Sequence, residues 1–138
     1  MNSAPSQGRK RVVVIEDDED FITLVEMILA TEDVEIRPYL TGRAGLEAVR
    51  TLLPDAVLLD VMLPDLNGWE VFLQLRQEPA TADIPVIILT SHSTCHDRTF
   101  GLQVAQVHDY ITKPCLPSRL RASVRSALAK SAPAPAAG

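Results

Sequence analysis

The chain has 138 residues, 46% hydrophobic and 22% charged, and its 13 basic and 18 acidic side chains leave a net charge of −5. This composition predicts one globular domain with a sizeable core rather than a disordered chain, and the acidic balance argues against a general nucleic-acid binder. The apolar runs fall far short of the ~20 residues a membrane helix needs, the N-terminus lacks a signal-peptide core, and two cysteines make no disulfide framework, so a cytoplasmic, reducing setting without membrane contact is expected.

Residues 1–9 read as a flexible tail. A β-branched run over 11–15 predicts a buried strand. Phe21, Leu24, Val25, Ile28 and Leu29 recur at i, i+3, i+4, i+7 and i+8 and predict one helix face. Residues 34–37 form a weak strand closed by Pro38. Leu46, Val49 and Leu53 mark a second helix, with Thr41 as its N-cap. Residues 56–59 are a second strongly apolar strand, ending at Asp60. Asn67-Gly68-Trp69-Glu70 has the form of a capping box and opens a helix carrying Trp69, Phe72 and Leu73, with Trp69 packing in the core. Residues 85–89 are a third apolar strand with its proline at the first position, where a strand tolerates it. A weaker helix over 97–105, a short strand over 109–112 and a helix marked by Leu120, Val124, Ala127 and Leu128 complete the domain, 10–130. Residues 131–138, SAPAPAAG, read as a tail or as a linker stub toward another domain.

Five strand-then-helix units with continuously apolar strands predict a doubly wound α/β fold, a parallel sheet covered on both faces. Ligands of such sheets bind beyond the carboxyl ends of the strands. The residues there are Glu16 and Asp17 after the first strand, Asp60 after the third, Thr90 after the fourth and Lys113 after the fifth. Crowded carboxylates repel one another and raise at least one pKa. A hard divalent cation such as Mg²⁺ relieves this. A carboxylate beside such a metal can attack phosphorus and become an aspartyl phosphate, with Lys113 supplying positive charge and Thr90 an O–H donor.

The blocks VVVIEDDEDF, VLLDVMLPDLNGWE, PVIILTS and DYITKP, in this order, resemble the receiver domain of two-component response regulators over about residues 10–130. The resemblance implies a flavodoxin-like, five-stranded sheet of order 2-1-3-4-5. It implies Asp60 as phosphoacceptor, fed by a sensor histidine kinase or a histidine phosphotransfer protein. It implies a Mg²⁺ site, with Mn²⁺ able to substitute, made of Asp17, Glu16, Asp60 and the carbonyl of Met62. Thr90 resembles the switch hydroxyl, Tyr110 the switch aromatic, and Lys113 the lysine before a cis proline. The resemblance further implies that on phosphorylation Thr90 moves toward the phosphoryl group and Tyr110 turns inward. That repacks the surface of the fourth helix, fifth strand and fifth helix for a downstream protein or a second copy of the chain.

Cys115 replaces the usual aromatic after Lys113-Pro114, and Gln106 stands where glycine is common; both bear on the output face more than on the chemistry. His92, Cys95 and His96, even with His108 and Cys115, make a poor zinc site. A Cys95–Cys115 regulatory disulfide is disfavoured in a reducing compartment. His92 is a candidate for controlling water access to the acyl phosphate. The alternative function is a phosphorylation-independent interaction module of the same fold. An aspartate-nucleophile phosphatase would need a second acid where Met62 stands, no phosphate-binding glycine motif is present, and the residues after the last helix are too few for a DNA-binding helix-turn-helix.

Overall fold

The computed structural model describes residues 9–91 and 107–131. Its strands are β1 (Lys10–Ile15), β2 (Val34–Tyr39), β3 (Ala56–Asp60), β4 (Val86–Thr90) and β5 (Asp109–Thr112), all parallel, in the order β2-β1-β3-β4-β5. The helices among the described residues are α1 (Glu19–Leu29), α2 (Gly42–Leu52), α3 (Gly68–Gln77) and α4 (Pro117–Ser131), the last being the fifth helix expected from the sequence. The fourth expected helix, His92, Cys95, His96, Gln106 and both tails (1–8 and 132–138) lie outside the described residues. No helix among the described residues is long and apolar enough to cross a membrane.

The strands are apolar on both sides because both faces of the sheet are covered. Val12, Val14, Leu58, Ile87 and Leu89 pack with α1 and α4 on one face; Val13, Ile15, Val57, Leu59 and Ile88 pack with α2 and α3 on the other. This alternation follows from successive side chains of a strand pointing to opposite faces. The register aligns the strand ends: Ile15 lies opposite Leu59, Asp60 opposite Leu89, and Thr90 opposite Thr112. The residues that follow β1 therefore emerge beside the last residue of β3, and the residue that follows β5 emerges at the same end of the sheet, one strand further on across β4.

Three local expectations are corrected. β2 does not stop at Pro38 but runs through it to Tyr39. The carbonyl of Tyr39 accepts from the Glu16 N–H (3.0 Å), so Pro38 turns its missing donor to the open edge, where no ladder bond is lost. Leu53 is not on the face of α2; it is the C-cap, in the left-handed region at φ 48°, and half exposed. Leu24 is 41% exposed, and Ile22 takes its place in the core. Phe21, Ile22, Val25, Ile28 and Leu29 centre the apolar stripe near Val25, which leaves Leu24 about 100° away. Trp69 is half-buried, edge-on to Phe72 with ring centroids 6.1 Å apart, at the rim of the core.

β5 and α4 are joined by a charged cluster. Asp109 accepts from Arg119 at 2.7 and 2.9 Å, from Ser123 Oγ at 2.7 Å and from the Tyr110 N–H at 2.8 Å. Burial alone would push its carboxyl up, but these donors, Arg119 foremost, outweigh it and hold the pKa at about 2. A depressed carboxyl stabilises the fold fully above its unfolded value, 3.8, and that contribution is lost as pH falls toward 2. Urea titrations between pH 5 and 2 should show about 2 kcal/mol lost across this window in the wild type. Asp109→Asn should remove most of that pH dependence; an unchanged slope would mean the cluster contributes nothing.

Candidate functional site

The first loop is built by a local cap. Asp18 accepts from the N–H groups of Asp20 (3.0 Å) and Phe21 (3.2 Å) and starts α1, with Glu19 and Asp20 in the first turn, where the helix dipole favours acids. These three acids are thereby committed to the helix. Glu16 and Asp17, between β1 and this cap, are aimed at the sheet edge: Glu16 is fully buried and Asp17 exposed.

Glu16, Asp17 and Asp60 each bring a carboxylate oxygen to within 4.8 Å of the others. Lys113, from the end of β5, reaches into this group. Its Nζ lies 2.7 Å from Glu16 Oε1 and 3.2 Å from Asp60 Oδ2, and 4.7 Å from the centroid of the Phe21 ring. The second oxygen of Glu16 accepts from the Asp18 N–H at 3.0 Å, and Asp60 Oδ1 accepts from the Met62 N–H at 2.9 Å. The Lys113-Pro114 bond is cis.

The charges are unequal in cost. Burial, then the neighbouring Asp60, pushes the Glu16 carboxyl up to about 7 against the pull of Lys113 and the Asp18 N–H. Burial also lowers the tendency of Lys113 to carry charge, but its contacts with Glu16 and Asp60 outweigh this and hold it above the ordinary lysine range. A cluster of three carboxylates and one ammonium keeps uncompensated negative charge at the sheet edge. Hard oxygen donors, one of them solvent-exposed, fit a small divalent cation that keeps some of its own waters.

Thr90 is the last residue of β4 and buried; its carbonyl accepts from the Lys113 N–H at 2.7 Å, which ties the two loops together. The Tyr110 ring is also buried, in the cluster with Ile88 and Val107 on the α2–α3 side. Met62 has an exposed side chain and sits beside a groove of about 390 Å³ lined by Asp17 and the loop after β3. Cys115 is half-buried against the α1–α4 side of the core, and burial raises its thiol pKa.

Two contributors had no local signal in the sequence. Gly68, first residue of α3, donates its N–H to the Val61 carbonyl at 2.7 Å, and a Cβ there would lie 2.2 Å from the carbonyl oxygen of Asp60. Asp65 reaches across to the start of α2, accepting from Gly42 and Arg43.

The family model for the response regulator receiver domain matches residues 12–125. The chain is 37% identical over 128 residues to the DNA-binding response regulator MtrA of Mycobacterium tuberculosis, covering 93% of this chain and 54% of that protein. It is 34% identical over 122 residues to PhoP of Bacillus subtilis, a transcriptional regulatory protein of alkaline phosphatase synthesis, covering 88% and 50%. It therefore spans about half the length of these relatives. Among solved structures, it superposes on the BeF3-activated N-terminal receiver domain of RstA from Klebsiella pneumoniae with a TM-score of 0.77 at 30% identity, covering 86% of this chain and 97% of that one.

Proposed function

The chain belongs to the response regulator receiver domain family, and from that premise we propose that it is a phosphorylation switch whose acceptor is Asp60. The observation that carries this is the meeting of the Glu16, Asp17 and Asp60 carboxylates with Lys113 Nζ at one sheet edge. An Asp60 oxygen attacks the phosphorus of a phosphohistidine on a sensor histidine kinase or a histidine phosphotransfer protein. The P–N bond breaks, the imidazole leaves with its electron pair and takes a proton from water, and Asp60 becomes an acyl phosphate.

Lys113, within 3.2 Å of Asp60, balances the charge carried by the phosphoryl oxygens, and the Thr90 hydroxyl is the candidate donor to one of them. Asp17, Glu16, Asp60 and the Met62 carbonyl are the candidate holders of Mg²⁺ or Mn²⁺, which when bound supplies further charge neutralisation and orientation. Hydrolysis by water returns Asp60 and inorganic phosphate, so the chain resets itself and turns over no separate substrate. Thr90 and Tyr110 couple the acceptor to the face formed by β5 and α4, where a downstream protein or a second copy gains affinity for one of two states. A cytoplasmic location suits a phosphorelay of this kind.

The acceptor can be located chemically. After reaction with acetyl phosphate and Mg²⁺, borohydride reduces an aspartyl phosphate to homoserine. Peptide mass analysis should find homoserine at position 60 alone. Homoserine at position 17, or a label stable to borohydride on a histidine, would overturn the assignment.

A further inference from the structure

The loop from β3 to α3 is short and closed on itself. Met62 and Asn67 pair as an antiparallel bridge, and the Gly68 N–H returns to the Val61 carbonyl. Leu63 and Leu66 pack against the α2–α3 side of the core. The base of this loop carries Met62, whose N–H holds Asp60 Oδ1. Its tip carries Asp65.

The start of α2 has no acid in its own first turn. A helix N-terminus leaves N–H groups without intrahelical partners, and an acceptor with negative charge satisfies them best. Here the Ala44 N–H goes to Thr41 Oγ1 (3.1 Å), and those of Gly42 and Arg43 go to Asp65 Oδ1 (2.7 Å) and Oδ2 (3.0 Å). One carboxylate 22 residues downstream of Arg43 thus spans two donors. Donation from the Arg43 N–H, foremost, outweighs burial and holds the Asp65 carboxyl below its ordinary range. The close approach is possible because position 42 is glycine: a Cβ there would lie 3.0 Å from Leu66 Cβ and 3.2 Å from Asp65 Oδ1.

We infer that Asp65 is a positioning residue of the phosphorylation site: by bridging the Gly42 and Arg43 N–H groups it anchors the tip of the loop carrying Met62, and so sets the affinity of the site for Mg²⁺. The inference rests on the reading of Asp60, Asp17 and Met62 as the Mg²⁺ site. It extends that reading to a residue whose side chain hydrogen-bonds to the start of α2 and not to the acceptor or the other carboxylates there. Groups one contact removed from metal ligands orient them, and their loss costs about 10–100-fold in affinity.

The test compares Asp65→Ala with Thr41→Ala. The second removes the local cap of the same helix and leaves the loop untouched, so both variants should lower the melting temperature. Calorimetric titration with Mg²⁺ alone should give a Kd raised about 10-fold in Asp65→Ala and unchanged in Thr41→Ala. The Met62 amide resonance should shift in the first variant only. Saturating Mg²⁺ should restore the rate of phosphorylation by acetyl phosphate in Asp65→Ala, since the defect lies in binding. Wild-type Mg²⁺ affinity in Asp65→Ala, or an equal loss in Thr41→Ala, would show that the bridge is only a helix cap. A wild-type chain that binds no Mg²⁺ would overturn the site reading itself, and the role of Asp65 with it.

Discussion

Gly68→Ala is expected to cost about 3 kcal/mol of stability and about 100-fold in the rate of Asp60 phosphorylation. The added Cβ would lie 2.2 Å from the Asp60 carbonyl oxygen and 2.7 Å from Val61 Cα. Both are backbone atoms of the acceptor strand and its exit, so no side chain can rotate away to make room. Either α3 withdraws, breaking the Gly68 N–H to Val61 carbonyl bond and loosening Val71, Phe72 and Leu75 from the core, or the Asp60–Val61 backbone moves. The first outcome lowers stability, and the second misplaces the nucleophile relative to Lys113. Urea denaturation and the phosphorylation rate with acetyl phosphate read the two. A variant with wild-type stability and rate would show that the helix start is not packed against the acceptor.

Asp60→Asn is expected to raise stability at neutral pH without divalent cations by about 1–2 kcal/mol. Asparagine keeps the shape and an oxygen that can accept from Met62, but removes one of two buried carboxylates that share Lys113. Burial and then Asp60 lift the Glu16 carboxyl to about 7, from an ordinary 4.5. Between those values the folded chain holds more proton than the unfolded chain, so wild-type stability falls as pH rises from 4.5 to 7. In Asp60→Asn that fall should shrink, and the gain over wild type should grow toward pH 7. Mg²⁺ should narrow the gap by stabilising the wild type. Functional sites often hold charge at a cost to the fold; a variant less stable than wild type at pH 7 would mean that Lys113 already compensates both acids.

What the sequence disclosed was what is local. The apolar runs ending in Glu16, Asp60, Thr90 and Lys113 are each readable in a few residues, and a parallel sheet aligns their ends without further information. Thr41 and Asn67 are caps whose donors lie three and two residues ahead, and they cap as expected; Asp18 caps α1 through donors just as local. The misreadings share a dependence on neighbours far along the chain. Pro38 is tolerated because β2 lies at the edge, a property of strand order and not of residues 34–39. Leu53 fits the helical spacing, yet the chain turns there into the left-handed region and leaves the helix. The reach of Asp65 to Gly42 and the contact of Gly68 with Asp60 join distant segments or separate elements, so no periodicity or motif announces them.

The most direct measurement is intact mass after incubation with acetyl phosphate, with and without Mg²⁺, for the wild type and Asp60→Asn. A single phosphoryl adduct that requires Mg²⁺ and is absent from Asp60→Asn is the predicted result. An adduct that persists in Asp60→Asn, or no adduct either from acetyl phosphate or from a phosphorylated histidine kinase in a chain that also binds no Mg²⁺, would contradict the account and favour an interaction module that works without phosphorylation.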